Sequence, residues 1–202
     1  MNLSPFAQLD IPPPNELVDL DARSRELIQE SRLNDFKAKC PPEFLPPIKR
    51  ALLSNLEAWD AADSWTSGTY PGLWLWSAET GRCKTRMAWR KIEQGIVKLG
   101  LRYVFTTGGS LADLCYQDFR EGEPAEFVRR FKRYNLVVID DVDKFPFADE
   151  RPGRAFRDLF DYFYSQHVSV LVTSNEPIDY VAQRLGDSSE RRIREVCREL
   201  RF

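Results

Sequence analysis

A group of residue types suited to binding phosphate lies between positions 78 and 85 of this 202-residue chain. The segment aligns with the phosphate-loop pattern G-x-x-x-x-G-K-[ST], in which backbone N–H groups and a helix N-terminus bind anionic oxygens. Lys84 would reach the β- and γ-phosphates of a nucleotide, and the Thr85 hydroxyl would ligate Mg²⁺. We therefore predict that a nucleotide is held by Ala78, Glu79, Thr80, Gly81, Arg82, Cys83, Lys84 and Thr85.

The loop departs from the pattern at both of its glycines. Ala78 replaces the first, and Cys83 replaces the one before the lysine. If position 83 requires a positive φ or a close approach to phosphate, the Cβ of Cys83 weakens binding or reshapes the loop. Taken alone, the partial match is also compatible with an ordinary strand-to-helix turn.

A pair of acids follows an apolar run 56 residues beyond Lys84 in the sequence Asn-Leu-Val-Val-Ile-Asp-Asp at 135–141. Open α/β sheets bind ligands at the carboxyl ends of their strands, where these acids would lie. Asp140 would hold Mg²⁺ through water, and Asp141 would polarise the water that attacks the γ-phosphate. The alternative is simple packing, because many parallel strands end in Asp.

A polar group also ends the apolar run at 168–175, Val-Ser-Val-Leu-Val-Thr-Ser-Asn. The amide of Asn175 could orient the hydrolytic water between the γ-phosphate and Asp141. Alternatively, Ser174 and Asn175 cap the helix that follows, since both side chains accept free N–H groups.

Arginines cluster near the start of a predicted C-terminal helix, in Leu-Gly-Asp-Ser-Ser-Glu-Arg-Arg-Ile-Arg at 185–194. By composition alone, this segment is best explained as a solvated helix with salt bridges to Glu190, Glu195 and Glu199.

The elements that position these residues alternate along the chain. Strand-like runs occupy 73–76, 103–106, 136–139 and 168–173. Helical patterns occupy 84–99, 111–119, 124–134 and 154–165, and the first of them is expected to point Ala88, Ile92, Ile96 and Leu99 inward. Such alternation predicts an α/β fold, a parallel sheet with helices on both faces.

The first 47 residues differ from the rest. Proline clusters at 12–14 and 41–47 flank a charged helical stretch at about 19–39, whose apolar stripe is thin: Leu17, Leu20, Leu27 and Ile28. We interpret residues 1–47 as an arm that either packs on its own core or docks a partner through its helix. Residues 48–202 form the predicted core, beginning with a helix at 47–64 that carries Ile48, Leu52, Leu56 and Trp59.

Composition limits the classes of function. A net charge of −2 gives no global attraction to nucleic acid or to an anionic membrane. The four cysteines form no C-x-x-C pair, which disfavours a zinc site. Scattered thiols, the absence of a leader pattern and the absence of an apolar run of about 20 residues predict a soluble, cytoplasmic protein with no membrane partner.

Taken together, these motifs resemble a known family over about residues 41–200. The phosphate loop is followed by Arg-Met-Ala-Trp at 86–89, Val-Ile-Asp-Asp-Val at 138–142, Val-Thr-Ser-Asn at 172–175, and Arg-Leu-Gly-Asp at 184–187 with Arg192 beyond it. The same elements in this order are found in the AAA+ ATPases that load replicative helicases in bacteria and phages, the DnaC/DnaI type, and in the related IstB transposition ATPases.

The resemblance implies a three-layer P-loop fold of the AAA+/RecA-like kind, with ATP and Mg²⁺ as cofactors. It implies that Asn175 is the sensor-1 residue and that Arg192 is an arginine finger completing a neighbour's site, so that the active form is a homo-oligomer. The implied partners are a replicative helicase of the DnaB type and single-stranded DNA. Because the chain stops at Phe202, we expect the core to lack the fifth strand and the lid of a complete AAA+ module.

Three hypotheses for the function follow. The first is an ATP-dependent helicase loader whose residues 1–47 grip the helicase. The second is an IstB-like transposition regulator, which would have a transposase partner. The third is a degenerate ATPase that acts only as an adaptor or inhibitor of another replication protein.

Overall fold

The computed structural model describes residues 22–66 and 71–202, and five parallel strands form the centre of this part of the chain. They are β1 (Gly72–Trp76), β2 (Tyr103–Thr107), β3 (Leu136–Asp140), β4 (Ser169–Ser174) and β5 (Cys197–Arg201). Their spatial order is β2-β3-β4-β1-β5, so β1 lies beside β4 and β5 rather than beside β2. Parallel neighbours need crossover connections, which the helices supply.

The helices that alternate with these strands cover both faces of the sheet. They are α1 (Ala22–Lys39), α2 (Leu56–Ser64), α3 (Lys84–Leu99), α4 (Gly108–Arg120), α5 (Pro124–Arg129), α6 (Glu150–Ser165), α7 (Ile178–Leu185) and α8 (Asp187–Val196). Short 3-10 turns occur at Pro42–Phe44, Arg50–Leu52 and Val142–Lys144. The predicted α/β class with a three-layer parallel sheet is therefore confirmed.

Alternate residues of the buried strands point to opposite faces, as strand geometry requires. One face packs on α1, α2 and α3 through Leu73, Leu75, Leu136, Val138 and Leu171. The other packs on α4 to α8 through Trp74, Val137, Ile139, Val170 and Val172. With both faces covered, the sheet is rigid, and its carboxyl edge is left to carry chemistry.

The expectation that the chain stops before the fifth strand is wrong. Helix α8 ends at Val196, and β5 pairs in parallel with β1 from Gly72↔Cys197 to Trp76↔Arg201. Leu200 and Phe202 pack into the core on the α1–α3 side, while Cys197 is buried in the other. Charged residues interrupt this short strand, as is typical at the edge of a sheet. They conceal the alternation of inward and outward residues by which a strand is recognised in a sequence.

Two helical expectations also need correction. The predicted helix at 47–64 is a 3-10 turn followed by α2, which begins after Asn55, whose side chain accepts from the Ala58 N–H at 3.0 Å. Leu52 is consequently 70% exposed. In α3, Ala88, Ile92 and Ile96 are buried as expected, whereas Leu99 in the last turn is 62% exposed.

The described part of the N-terminal arm packs on its own core. Phe36 of α1 contacts Trp89 of α3 with ring centroids 6.0 Å apart, and Gln29 donates to the Val97 carbonyl at 2.6 Å. Leu27, expected on the apolar stripe, is 59% exposed, while Leu17 and Leu20 lie outside the described residues. The arm as a separate functional unit stays a prediction. Within the described residues, none of the helices is both long and apolar enough to span a bilayer.

Candidate functional site

The phosphate loop connects β1 to α3 and lies at the carboxyl edge of the sheet. Strand β1 ends at Trp76, and α3 begins at Lys84. Two loop residues have left-handed backbones, Gly81 with φ 76° and Cys83 with φ 65°. No side chain caps the α3 N-terminus. Its first N–H groups are therefore available to an anion, as in other helix-terminal phosphate sites.

Cys83 has the positive φ at which its Cβ was expected to weaken phosphate binding or reshape the loop. Its φ of 65° and ψ of 17° lie in the region that glycine adopts freely and that costs other residues on the order of 1 kcal/mol. The thiol is half-buried and unpaired with any other cysteine. Ala78 differs, because its φ is not among the positive values found in the described residues.

Lys84 is directed into the site and held by oxygens alone. Its Nζ donates to the carbonyl of Ser77 at 3.2 Å, to the carbonyl of Glu79 at 3.5 Å and to Oδ1 of Asn175 at 3.2 Å. The side chain is only 7% exposed. Burial lowers the pKa of Lys84, while the nearby carboxylates of Asp141, Asp143 and Asp140 oppose that shift.

Asp140 and Thr85 are brought together from β3 and α3. The Thr85 hydroxyl donates to Oδ1 of Asp140 at 2.9 Å, and the buried Thr173 hydroxyl donates to the same oxygen at 2.5 Å. Burial raises the pKa of Asp140, and the two hydroxyl hydrogen bonds counteract part of that rise. Asp140 therefore lies among oxygen groups in a nearly dry environment.

These residues fit Mg²⁺. One carboxylate and one hydroxyl are the hard oxygen ligands that this ion uses when phosphates and water complete its octahedron. Among the described residues, no group of three or more His, Cys, Asp and Glu side chains could hold a metal ion unaided. The pair Thr85 and Asp140 therefore suits a metal that arrives with a phosphate ligand.

Asp141 follows Asp140 but is held differently. Its backbone has φ 50° and ψ 50°, a left-handed conformation that Asp tolerates better than most residues. Its N–H donates to the Thr173 hydroxyl at 2.9 Å, and its carboxylate pairs with Lys144 at 2.5 Å. The predicted general base is therefore at the expected edge, with its carboxylate engaged by a lysine.

Asn175 extends from the end of β4 into the same site. Its Oδ1 accepts from Lys84, and both its backbone N–H and its Nδ2 donate to the carboxylate of Asp143, at 2.8 and 3.2 Å. The alternative of a helix cap does not describe it, since α7 begins without a side-chain cap and its Ile178 N–H donates to Glu199. Asn175 is thus a site residue by position.

Arg192 is held elsewhere in the fold. Its guanidinium donates to Asp161 at 2.7 Å and to Glu195 at 2.6 Å, and it lies 4.1 Å from the ring centroid of Tyr164. All three partners belong to α6 or α8. The chain therefore assembles Lys84, Thr85, Asp140 and Asn175, with Asp141 adjacent, and keeps Arg192 in a separate network.

Sequence reasoning missed four residues of the site: Ser77, Asp143, Lys144 and Thr173. Thr173 lies within the motif at 172–175, and Asp143 directly follows the motif at 138–142, but the roles of both depend on β3 and β4 being neighbours. Lys144 offered a signal, since a lysine three residues after Asp141 can pair with it in a helical turn.

The strand order, the phosphate loop after β1, the acids after β3 and the amide after β4 define the class of this fold. It is a P-loop α/β fold of the AAA+ type. Within that class, the structures it is similar to include a DNA replication initiation factor and the replication initiator DnaA. No protein-family model and no curated protein matches the sequence.

Three solved structures illustrate the similarity. DnaI matches with a TM-score of 0.61 at 16% identity, over 81% of this chain and 94% of DnaI. The DnaC helicase loader matches with a TM-score of 0.53 at 21% identity, over 80% of this chain and 99% of DnaC. AMPPCP-bound DnaA from Aquifex aeolicus matches with a TM-score of 0.60 at 17% identity, over 79% of this chain and 50% of that chain.

At these identities, the likeness establishes the fold. The chain spans about half the length of the DNA replication initiation factor and the DnaA structures that it matches. DnaC and DnaI, the type of protein that the sequence motifs resemble, are among the solved structures that share this fold, as is DnaA.

Proposed function

We propose that this chain is an ATP-binding, ATP-hydrolysing protein of DNA replication that loads a replicative helicase. The observation that carries the proposal is the convergence of Lys84, Thr85, Asp140 and Asn175 at one edge of the sheet. These four side chains come from three separate elements, α3, β3 and the end of β4. Packing alone gives no reason for a buried lysine, a buried acid and an amide to meet there.

We assign each of these residues a separate role in phosphoryl transfer. The loop N–H groups and Lys84 bind the phosphates, and Lys84 exchanges its three protein oxygens for phosphate oxygens when ATP enters. Thr85 and Asp140 would hold Mg²⁺, which would supply positive charge beside the phosphates. Asp141 and Asn175 act on the attacking water, and Asp141 must first release Lys144.

Arg192 takes part only between molecules. It is bound to Asp161 and Glu195 in its own chain, so we propose that assembly of copies side by side releases it to contact a neighbour's γ-phosphate. An arginine supplied in trans accelerates phosphoryl transfer by several orders of magnitude in other nucleotidases. An isolated monomer should therefore bind ATP and hydrolyse it slowly.

We base the proposed partners on what the similar structures are named for or contain. DnaC is a helicase loader, and one DnaA structure contains AMPPCP and single-stranded DNA. For this chain, we propose a DnaB-type helicase as the protein partner, contacted through residues 1–47, and single-stranded DNA as a second ligand. We propose the cytoplasm as the location, in keeping with four free thiols.

A titration of labelled ATP in the presence of Mg²⁺ tests the nucleotide proposal. Lys84→Ala should weaken binding by about tenfold or more, because it removes the only lysine within hydrogen-bonding reach of Asn175 among the described residues. Lys132→Ala, which removes an exposed lysine, is the matched control and should bind as wild type. Equal affinities in the two variants would contradict the proposal.

Capture of a purified DnaB-type helicase tests the loader proposal separately. Wild-type protein on beads should retain the helicase in an ATP-dependent manner, and Lys84→Ala should lose that dependence. Retention that is absent with and without ATP would remove the loader function while leaving the ATPase intact.

A degenerate adaptor is the second candidate, and the loop geometry favours it. Cys83 adopts a glycine-like backbone, Lys84 is already saturated by protein oxygens, and Asp141 is paired with Lys144. In this case, wild type would show no ATP binding, and Lys84→Ala would retain the helicase as well as wild type does.

A further inference from the structure

The side-chain amide of Asn175 lies between two groups of opposite hydrogen-bonding character. On one side its Oδ1 accepts from the Lys84 ammonium at 3.2 Å. On the other its Nδ2 donates to Oδ2 of Asp143 at 3.2 Å, and its backbone N–H donates to Oδ1 of the same carboxylate at 2.8 Å. Asp143 therefore contacts Asn175 through both of its oxygens.

These contacts permit a single orientation of the amide. An ionised carboxylate only accepts hydrogen bonds, and an ammonium only donates them. Rotating the amide by a half-turn would place its NH₂ against Lys84 and its oxygen against Asp143, which leaves two repulsive contacts in a half-buried site. When a phosphate draws Lys84 away, Asp143 is the group that still holds the orientation.

We propose that Asp143 is a positioning residue that fixes the Asn175 amide with its oxygen towards the nucleotide cleft. The inference rests on the proposed function, and it deepens that function by assigning a polarity to Asn175. Asp143 itself lies in the 3-10 turn Val142–Lys144, which begins directly after Asp141, so the proposed base and the group that orients the amide are two residues apart.

The polarity decides what Asn175 contacts. An oxygen turned towards the cleft accepts a hydrogen bond from Lys84 or from the attacking water. It cannot donate to a γ-phosphate oxygen, which is itself an acceptor. Asn175 therefore orients the water by accepting a hydrogen bond from one of its O–H groups, and Asp141 removes the proton of the other as the hydroxide oxygen attacks the γ-phosphate.

An exchange of the two side chains tests this directly. Asp143→Asn leaves one oxygen for the two donors of Asn175, so its NH₂ group faces either the backbone N–H or the side-chain NH₂ of Asn175. Asn175→Asp places two carboxylates opposite each other. Each single variant should lower kcat by about tenfold or more. The double variant Asp143→Asn with Asn175→Asp restores a donor facing an acceptor and keeps an oxygen towards Lys84, so its kcat should return to within about threefold of wild type.

Measuring the KM for ATP and the stability of every variant distinguishes a positioning role of Asp143 from a general structural role. A positioning role changes kcat and leaves the KM of Asp143→Asn within about threefold of wild type, whereas a general structural role would lower stability in the double variant as much as in the singles. Asp158→Asn, which neutralises an exposed acid of α6, controls for loss of charge. A double variant with no recovery would overturn the proposal.

Hydrogen exchange separates this inference from the proposed function. In the nucleotide-free protein, the Asn175 backbone amide should exchange about tenfold or more faster in Asp143→Ala than in wild type, because its acceptor is gone. Unchanged exchange would overturn the positioning role of Asp143 even if the protein hydrolyses ATP. Faster exchange in a protein that binds no ATP would support the contact between Asp143 and Asn175 and would contradict the proposed ATPase function.

Discussion

The Thr85 hydroxyl and the Asp140 carboxylate are 2.9 Å apart, so the first turn of α3 is joined directly to the end of β3. The hydroxyl of Thr173 reaches the same carboxylate oxygen at 2.5 Å from β4. Three elements that are distant in sequence therefore meet at one acid. Burial raises the pKa of this acid, so the charged carboxylate costs the folded protein stability where it lies.

Thr85→Val should remove most of the benefit that Mg²⁺ gives to ATP binding. The substitution keeps the shape of the side chain and deletes the hydroxyl, at an expected cost of about tenfold in affinity with Mg²⁺ and little change with EDTA. Titrations of labelled ATP under both conditions measure the difference. Thr85→Ser retains the hydroxyl and should behave as wild type; an equal loss in Ser and Val would refute metal ligation by this residue.

Cys83→Gly should raise ATP affinity by about threefold or more, since it removes a Cβ from a loop position with φ 65°. Stability should change little, because the relief of left-handed strain is offset by the greater freedom of glycine in the unfolded chain. The control is Ala78→Gly in the same loop, which is expected to leave affinity unchanged. If both substitutions raise affinity equally, the backbone of Cys83 is not the cause.

Asp140→Asn should stabilise the protein at about pH 7 and have less effect at about pH 4. Burial raises the pKa of Asp140 in the folded protein above its unfolded value. Between these two values the folded state binds more protons than the unfolded chain, so wild-type stability falls as pH rises through that window. Urea unfolding of both proteins at the two pH values measures the effect. A variant that is less stable than wild type at both values would show that the charge of Asp140 stabilises the fold.

Arg192→Ala and Lys84→Ala should complement each other in a mixture. Arg192→Ala keeps its own nucleotide site, and Lys84→Ala keeps a finger that can serve that site, so hydrolysis should be low in each alone and rise severalfold on mixing. Phosphate release at increasing total protein concentration measures this. A mixture no more active than its components, together with a wild type that is active as a monomer, would exclude a finger acting in trans.

Sequence periodicity was sufficient for the central elements. Four apolar runs predicted β1 to β4 to within one residue at each end, and the helical pattern predicted α3 at its observed bounds, because these elements are buried and their composition reflects it. The edge strand β5 was missed. Arg198 and Arg201 are exposed and Glu199 is half-buried, so neither face of this short edge strand has a continuous apolar pattern.

The sequence predicted which of the candidate site residues would meet at one edge of the sheet, but not the residues that hold them in place. Lys84, Thr85, Asp140 and Asn175 were expected to meet, because each ends a strand or begins a helix at one edge. Asp143 and Thr173 could not be assigned, since their partners lie across the boundary between two strands whose adjacency the sequence does not specify. Arg192 illustrates a third limit, because the contacts of this residue within one chain do not test the proposed role between molecules.

The C-terminal pairing has a practical consequence. The N–H of Phe202 donates to the carbonyl of Trp76 at 2.8 Å, and Asn55 donates to the carbonyl of Arg201 at 2.9 Å. Position 202 is therefore held at the point where β1 turns into the phosphate loop. A small fluorophore attached there would report on occupancy of the proposed nucleotide site without touching the segment 1–47 that is proposed to contact the helicase.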